Sequence, residues 1–184
     1  MNESLRPSPK DAIIEAAFDV LAEAPGASLA DIAARAGVGR ATLHRHFAGR
    51  EDLIRTLALI AIEEMDAAAD AACEGVESHG EALRRTLAAI IPLGDRHWFL
   101  SREPVDDDPV IAREFERLMR ETGELIEAAK SEGVFDEAAP TAWIAQAYDH
   151  LIFAAWESVK AGEATHSQAA DLAWRTLTIG VGRN

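Results

Sequence analysis

Three runs of helical periodicity are compressed into the first fifty residues, and the breaks between them admit little other than a helix-turn-helix. From Asp11 the apolar positions Ile13, Ile14, Ala17, Phe18, Leu21 and Ala22 recur three and four apart, and Pro25-Gly26 ends the run. Asp11 reads as the N-cap of this first helix. Ser28 followed by Asp31 has the form of a capping box with Asp in place of Glu, and opens a short helix from Leu29 to Arg35 that buries Leu29, Ile32 and Ala33. Gly37 follows, where a helix C-terminus wants a residue free to take positive φ. A third short helix is predicted from about Arg40 to Phe47, with Gly49 breaking it. Short helices do not hold themselves, so Ile32, Ala33, Val38, Leu43 and Phe47 must converge to lock the second against the third.

The remainder reads as helix throughout. A longer helix is predicted from near Arg50 to about Glu74, with Leu53, Ile54, Leu57, Ile60, Ala61 and Met65 on its apolar face. Gly75 and Gly80 bracket a loop. Four or five further helices follow, over roughly 81–93, a broken segment 95–108, then 109–132, 140–161 and 165–181. Pro92, Pro104, Pro109 and Pro140 fall at or near those boundaries, where proline is tolerated, and Pro7 and Pro9 close a short polar arm at the start. Ala occupies 37 of 184 positions, no stretch alternates with period two, and no internal repeat is visible, so the fold class is all-α. The expected domains are residues 1–50 and 51–184. No apolar run reaches the ~18–20 residues of a membrane span and the N-terminus lacks the apolar core of a signal peptide, which predicts a cytoplasmic protein with no membrane partner. The lone Cys73 excludes an internal disulfide and a cysteine zinc cage.

Net charge is −14, which taken alone argues against a nucleic-acid partner. Its distribution reverses that reading. Residues 1–50 carry six Arg or Lys and six acids, whereas residues 51–184 carry 12 bases and 26 acids and so the whole excess. Residues 36–50 hold Arg40, Arg45, Arg50, His44 and His46 and no acid. With the apolar faces buried, the third helix is left presenting Arg40, Ala41, His44 and Arg45. Arginine suits bidentate contact with guanine, and histidine can donate to a base or phosphate. Thr42 and Arg50 read as phosphate contacts that fix register. The acidic body, repelled by phosphates, leaves this island as the productive face.

The segment 11–57 resembles the DNA-binding domain of the TetR family of transcriptional regulators. The matching residues are Ile14, Ala16, Ala17, Phe18 and Leu21, then Ser28-Leu29, Ile32-Ala33 and Ala36-Gly37-Val38, and finally Thr42-Leu43, Phe47, Arg50-Glu51 and Leu53. The resemblance implies that Ser28, Arg40, Ala41, Thr42, His44, Arg45 and Arg50 face double-stranded operator DNA. The family more often has Tyr at the place of His44, Lys at that of Arg50, and Ser or Thr where Gly39 stands. It also implies a homodimer built from the last two helices, for which Trp143, Ala147, Leu151, Ala155, Leu172, Thr176 and Leu177 are the candidates, small residues among them allowing close approach. Two-fold symmetry would set the two third helices about 34–36 Å apart on a pseudo-palindrome. The resemblance further implies a cavity for a small-molecule effector, with Trp98, Phe99, Phe115, Met119, Tyr148 and Trp156 as candidate lining. A buried Tyr148 hydroxyl or Trp156 N–H needs a partner that a ligand can supply. The stretch 97–108 is either a gate to that cavity or an acidic surface loop.

Other classes find little support. No Gly-rich phosphate loop, zinc-protease motif or nucleophile elbow is present, so the chain is expected not to be an enzyme and to need no cofactor or metal. A helical protein-interaction module that no longer reads DNA is the alternative, against which the acid-free run 36–50 argues. Repression is the more common role in the family.

Overall fold

The structure, a computed structural model, describes residues 8–102 and 108–181. Among them the chain forms α1 (Pro9–Glu23), α2 (Leu29–Arg35), α3 (Arg40–His46), α4 (Arg50–Cys73), α5 (His79–Ile90), α6 (Gly94–Arg102), α7 (Pro109–Ser131), α8 (Thr141–Lys160) and α9 (His166–Val181). A 3-10 turn, Ile91–Leu93, carries Pro92 between α5 and α6. No strand occurs among the described residues, in keeping with the all-α expectation. Pro7 of the polar arm, and residues 103–107 of the stretch expected to be a gate or a surface loop, lie outside the described residues.

The first helix corrects one boundary. It starts at Pro9 with Ser8 as N-cap, and Asp11 is its third residue rather than its cap. Ser8 Oγ accepts the Asp11 N–H at 3.2 Å, and Asp11 Oδ2 accepts the Ser8 N–H at 3.3 Å. Proline at the first helical position loses no hydrogen bond, because that N–H has no intrahelical acceptor. Ser28 and Asp31 form the expected capping box on α2, with hydrogen bonds from the Ser28 hydroxyl and N–H holding the Asp31 carboxyl below its ordinary value. Gly37 takes φ +68, which lets the chain leave α2 and turn into α3.

Two apolar clusters form the interior. In the first, Ile13, Phe18 and Leu21 of α1 meet Ile32, Leu43 and Phe47, the first half of α4 (Leu53, Leu57, Ala61), and Phe99, Leu100 and Ile111 from α6 and α7. The second joins Leu83 and Leu87 of α5, Ile126 of α7, Phe135 of the following loop, Ile144, Tyr148 and Ile152 of α8, and Ala169, Ala173 and Leu177 of α9. Packing of the first cluster therefore does not stop at residue 50. Met65 of α4 touches both clusters, and α7 also spans them, with Ile111 in the first and Ile126 in the second.

Two local features fix how the later helices seat. Glu132, just past α7, accepts the N–H groups of His79 at 2.8 Å and Gly80 at 3.0 Å, the Ser78 hydroxyl at 2.9 Å, and closes on His79 Nδ1 at 2.7 Å. It thereby satisfies the orphan donors of the α5 N-terminus, which is why α5 begins at His79 and not near residue 81. These donors, the Gly80 and His79 N–H groups foremost, pull the Glu132 carboxyl down to about 2. At the start of α6, a Cβ on Gly94 would stand 2.0 Å from Cγ of Trp156, so only glycine lets α6 lie this close to α8.

Glu132 is depressed in the folded chain, so its contribution is complete above the ordinary 4.5 and is lost as pH falls toward 2. Glu132→Gln is expected to flatten the acid limb of the melting temperature against pH over that window, and an unchanged limb would refute this account. Gly94→Ala would gain helix propensity in open space. Here it is expected to destabilise by about 1–3 kcal/mol through overpacking, read from denaturant unfolding.

Candidate nucleic-acid interface and cavity

Leu43 and Phe47 are buried, and this pins one face of α3 to α1 and α2. The opposite face presents Arg40, Ala41, His44 and Arg45 to solvent, with His46 also exposed. Thr42 is half-buried, and its hydroxyl accepts from Arg45 Nη2 at 2.9 Å. Ser28, at the head of α2, donates its hydroxyl to Asp31 at 2.6 Å. Ser28, Leu29 and Ala30 line a shallow groove of about 320 Å³ together with Arg40, Leu43 and His44. Arg50 opens α4. It is half-buried, with Nη1 donating to the Ala27 carbonyl at 2.6 Å and Nη2 to the Pro25 carbonyl at 2.7 Å. The fork of its guanidinium ties the α1–α2 loop to the start of α4, a tertiary role that residue type alone did not indicate.

A cavity of about 1010 Å³ opens among α4, α5, α6, α7 and α8. Its wall is largely apolar, with Met65, Leu100, Leu118 and Ile152 beside Phe115, Met119 and Tyr148. The last three were expected there, whereas Trp98, Phe99 and Trp156 are not part of the wall. Phe99 turns to the first cluster and meets Phe18 edge-on at 5.4 Å. Trp98 stacks on Phe153 at 4.1 Å with the Arg102 guanidinium over its ring, and Trp156 lies against Phe153 and Gly94. His97 faces the cavity, while the stacking on Phe153 holds its neighbour Trp98 away from it. The Tyr148 hydroxyl, expected to await a ligand, already donates to the Leu83 carbonyl at 2.8 Å, and burial raises it above the ordinary tyrosine range.

Charge in the wall is unevenly committed. Arg117 donates to Glu114 and Glu121, each at 2.9 Å, and to Asp66. The Glu114 and Asp66 hydrogen bonds hold it charged, well above its ordinary range. Asp70 and Glu77 lie at the exposed rim. His97 Nε2 is 2.7 Å from Asp149 Oδ1, and His97 Nδ1 is the one buried side-chain polar atom among the described residues without a hydrogen-bond partner. Among those residues no group of three or more His, Cys, Asp and Glu is arranged to hold a metal ion.

Sequence reasoning missed the contact that joins cavity and helix-turn-helix. Arg96, only 12% exposed, bonds Glu15 of α1 at 2.8 and 2.9 Å, Glu64 of α4 at 2.9 Å and its neighbour Asp95, and covers the Phe18 ring at 4.4 Å. Burial alone would lower it, but Glu15, Asp95 and Glu64 together raise it. No spacing rule links residues 15, 64 and 96.

The stripe expected at a dimer interface divides. Trp143 and Leu172 are 61% and 59% exposed, and Thr176 is exposed with them. Ala155 and Leu177 are buried inside the protomer, and Ala147 and Leu151 are half-buried against the same second cluster. Ile179, not singled out from the sequence, is 75% exposed on α9.

A helix-turn-helix with one cationic face, mounted on a helical body, defines a DNA-binding regulator. Residues 13–57 match the family described as bacterial regulatory proteins, tetR family. The chain is 35% identical over 171 residues to the HTH-type transcriptional repressor LfrR of Mycolicibacterium smegmatis, covering 92% of this chain and 88% of that protein. It therefore belongs to the TetR family of transcriptional regulators, which are DNA-binding proteins and not enzymes. The structure of LfrR from Mycobacterium smegmatis in complex with proflavine superposes with a TM-score of 0.76 at 33% identity, over 96% of this chain and 97% of that one. The ketosteroid transcriptional regulator KstR2 of Mycobacterium tuberculosis shares the fold, with a TM-score of 0.77 at 18% identity over 97% of each chain. No helix among the described residues is long and apolar enough to cross a membrane.

Arg50→Ala is expected to lower unfolding stability by about 1.5–3 kcal/mol, the range for hydrogen bonds that involve a charged group. Urea unfolding measures it, and an unmoved midpoint would leave Arg50 without the loop-tying role.

Proposed function

We propose that the protein is a homodimeric transcriptional repressor that binds a pseudo-palindromic operator through α3 and leaves it when a small molecule enters the cavity. The observation that carries this reading is the outward face of α3. Arg40, Ala41, His44 and Arg45 are exposed together, and residues 36–50 contain no acid to neutralise them. Arg40 and Arg45 read base edges, while Thr42, Ser28 and the backbone around them set register against phosphates. Arg50 contributes by holding the loop that precedes α2. Residues 1–50 form the reading head and residues 51–184 the effector and dimerisation body, with the first apolar cluster running across the division.

The dimer face is assigned to the exposed parts of α8 and α9, Trp143, Leu172, Thr176 and Ile179, flanked by Ala147 and Leu151. Ala155 and Leu177 belong to the protomer core and drop out of the assignment. The effector site is the cavity of about 1010 Å³, with Phe115, Met119 and Tyr148 kept in its wall. LfrR, at 33% identity, has been obtained with proflavine, and a cavity of this size admits a molecule of that class. An effector lowers DNA affinity only by favouring a conformation in which the two α3 helices are off the groove spacing. α4, which touches both clusters, is the element whose tilt accomplishes this.

Selection of bound fragments from genomic or random DNA at fixed, moderate salt tests the proposal. A two-fold-symmetric sequence is expected, with Arg40→Ala and Arg45→Ala each costing about 1–3 kcal/mol of specific affinity. Only non-specific, salt-steep binding, or none, would move the interaction-module alternative to the front.

A further inference from the structure

The cavity wall contains five carboxylates, Asp66, Asp70, Glu77, Glu121 and Asp149, and a single arginine, Arg117. They are not equivalent. Asp66 and Glu121 are engaged by Arg117, which also holds Glu114. Asp70 and Glu77 are exposed at the rim, where water and salt screen them. Asp149 differs from all four. It is half-buried on α8 between Tyr148 and His150, its Oδ1 is fixed at 2.7 Å by His97 of α6, and both residues lie in the wall.

The state of His97 follows from its surroundings. The ring is nine-tenths buried, and Nδ1 has neither partner nor water access. A proton on Nδ1 would be a buried donor with nothing to receive it, which costs more than an unmatched lone pair on a group that otherwise packs as apolar. The carboxylate only accepts. Nε2 therefore carries the hydrogen and donates it to Asp149, leaving the carboxylate's charge uncancelled. His150 has its Nδ1 4.0 Å from Asp149 Oδ2 but directs that nitrogen to the Gln146 carbonyl at 2.8 Å. Asp149, which lines the cavity with Phe115, Tyr148 and Met65, thus offers Oδ2 as a negatively charged acceptor on a carboxylate held through Oδ1.

We infer that Asp149 is the anchoring group of the cavity, that His97 is its positioning residue, and that the effector is an aromatic cation carrying an N–H donor. This inference rests on the proposed effector role of the cavity and specifies its ligand. The cation supplies the N–H that Oδ2 lacks, and its ring fills the space between the aromatic and thioether side chains, where sulfur and π faces favour it. A carboxylate whose geometry is already fixed loses little freedom on binding.

The experiment compares the aminoacridinium cation with neutral acridine at a mildly alkaline pH. The two share a ring system and differ in charge and in N–H. Titration of the full-length protein, followed by ligand fluorescence, is expected to show the cation bound at least about tenfold more tightly. Asp149→Asn should abolish that preference while still binding acridine, which also reports that the cavity is intact. Combined Asp70→Asn and Glu77→Gln should reduce the preference less than Asp149→Asn does. His97→Leu should weaken the cation several-fold, and His97→Gln, which keeps an N–H near the Nε2 position, should restore it. A preference that survives Asp149→Asn, or a rim variant that costs as much, overturns the anchor. Equal loss in His97→Leu and His97→Gln removes the positioning role. Equal binding of both rings to the wild type leaves the cavity an effector site and refutes the anchor, whereas binding of neither refutes the cavity reading and the anchor with it.

Discussion

A single largely buried guanidinium ties together three helices that meet at the first apolar cluster. Arg96 projects from α6 onto Glu15 of α1 and Glu64 of α4, with the Phe18 ring beneath it and Asp95 beside it. Taking such a charge out of water is costly, and three carboxylates with an aromatic face offset that cost only while α1, α4 and α6 keep their mutual positions. Phe99, one turn further along α6, meets Phe18 edge-on and repeats the constraint in apolar form.

The charge pattern obeys the same rule of local neutralisation. Many arginines of the body are engaged by neighbouring acids: Arg117 by Asp66, Glu114 and Glu121, Arg84 and Arg85 by Glu81, Arg55 by Asp108. Such pairs add little stability at the surface, but they leave the body with little positive charge to compete for phosphate. On α3 the reverse holds. Arg40 feels Asp31 and Arg45 donates to the Thr42 hydroxyl, and no acid lies within residues 36–50, so the net charge of −14 and a nucleic-acid partner are compatible once position is considered.

Local rules made the first fifty residues legible. The Ser28–Asp31 box, the positive φ of Gly37 and the burial of Leu43 and Phe47 each depend on neighbours within a few positions, and each is where its spacing puts it. The N-cap of α1 was missed by three residues because two cap-forming residues, Ser8 and Asp11, compete, and proline at the first helical position decides for Ser8. Elsewhere the deciding partner is distant. Arg50 looks like a surface cation until the fold brings the carbonyls of residues 25 and 27 within reach of its guanidinium. α5 begins early because Glu132, more than fifty residues away, receives its first N–H groups. Aromatic content marked Phe115 and Tyr148 of the cavity wall but not the contribution of α6, since which of Trp98, Phe99 and His97 faces inward depends on the rotation of α6 about its axis. That rotation is fixed by Gly94 against Trp156 and by Arg96, neither of which a periodicity reveals.

On the proposed mechanism, the same rotation sets how far occupancy of the cavity is felt at α3. Arg96 and His97 are adjacent, so the residue that grips α1 and the residue that fixes Asp149 move as one piece of helix. Any displacement that a ligand imposes on the His97–Asp149 contact is delivered to Glu15, Glu64 and Phe18 without passing through flexible chain. The energy required is modest: a tenfold loss of operator affinity corresponds to about 1.4 kcal/mol of difference between the two conformations. That is no more than the lower end of what a hydrogen bond to a charged group contributes. On the proposed release mechanism, loss or distortion of one contact at the Arg96 cluster is therefore enough to supply that difference.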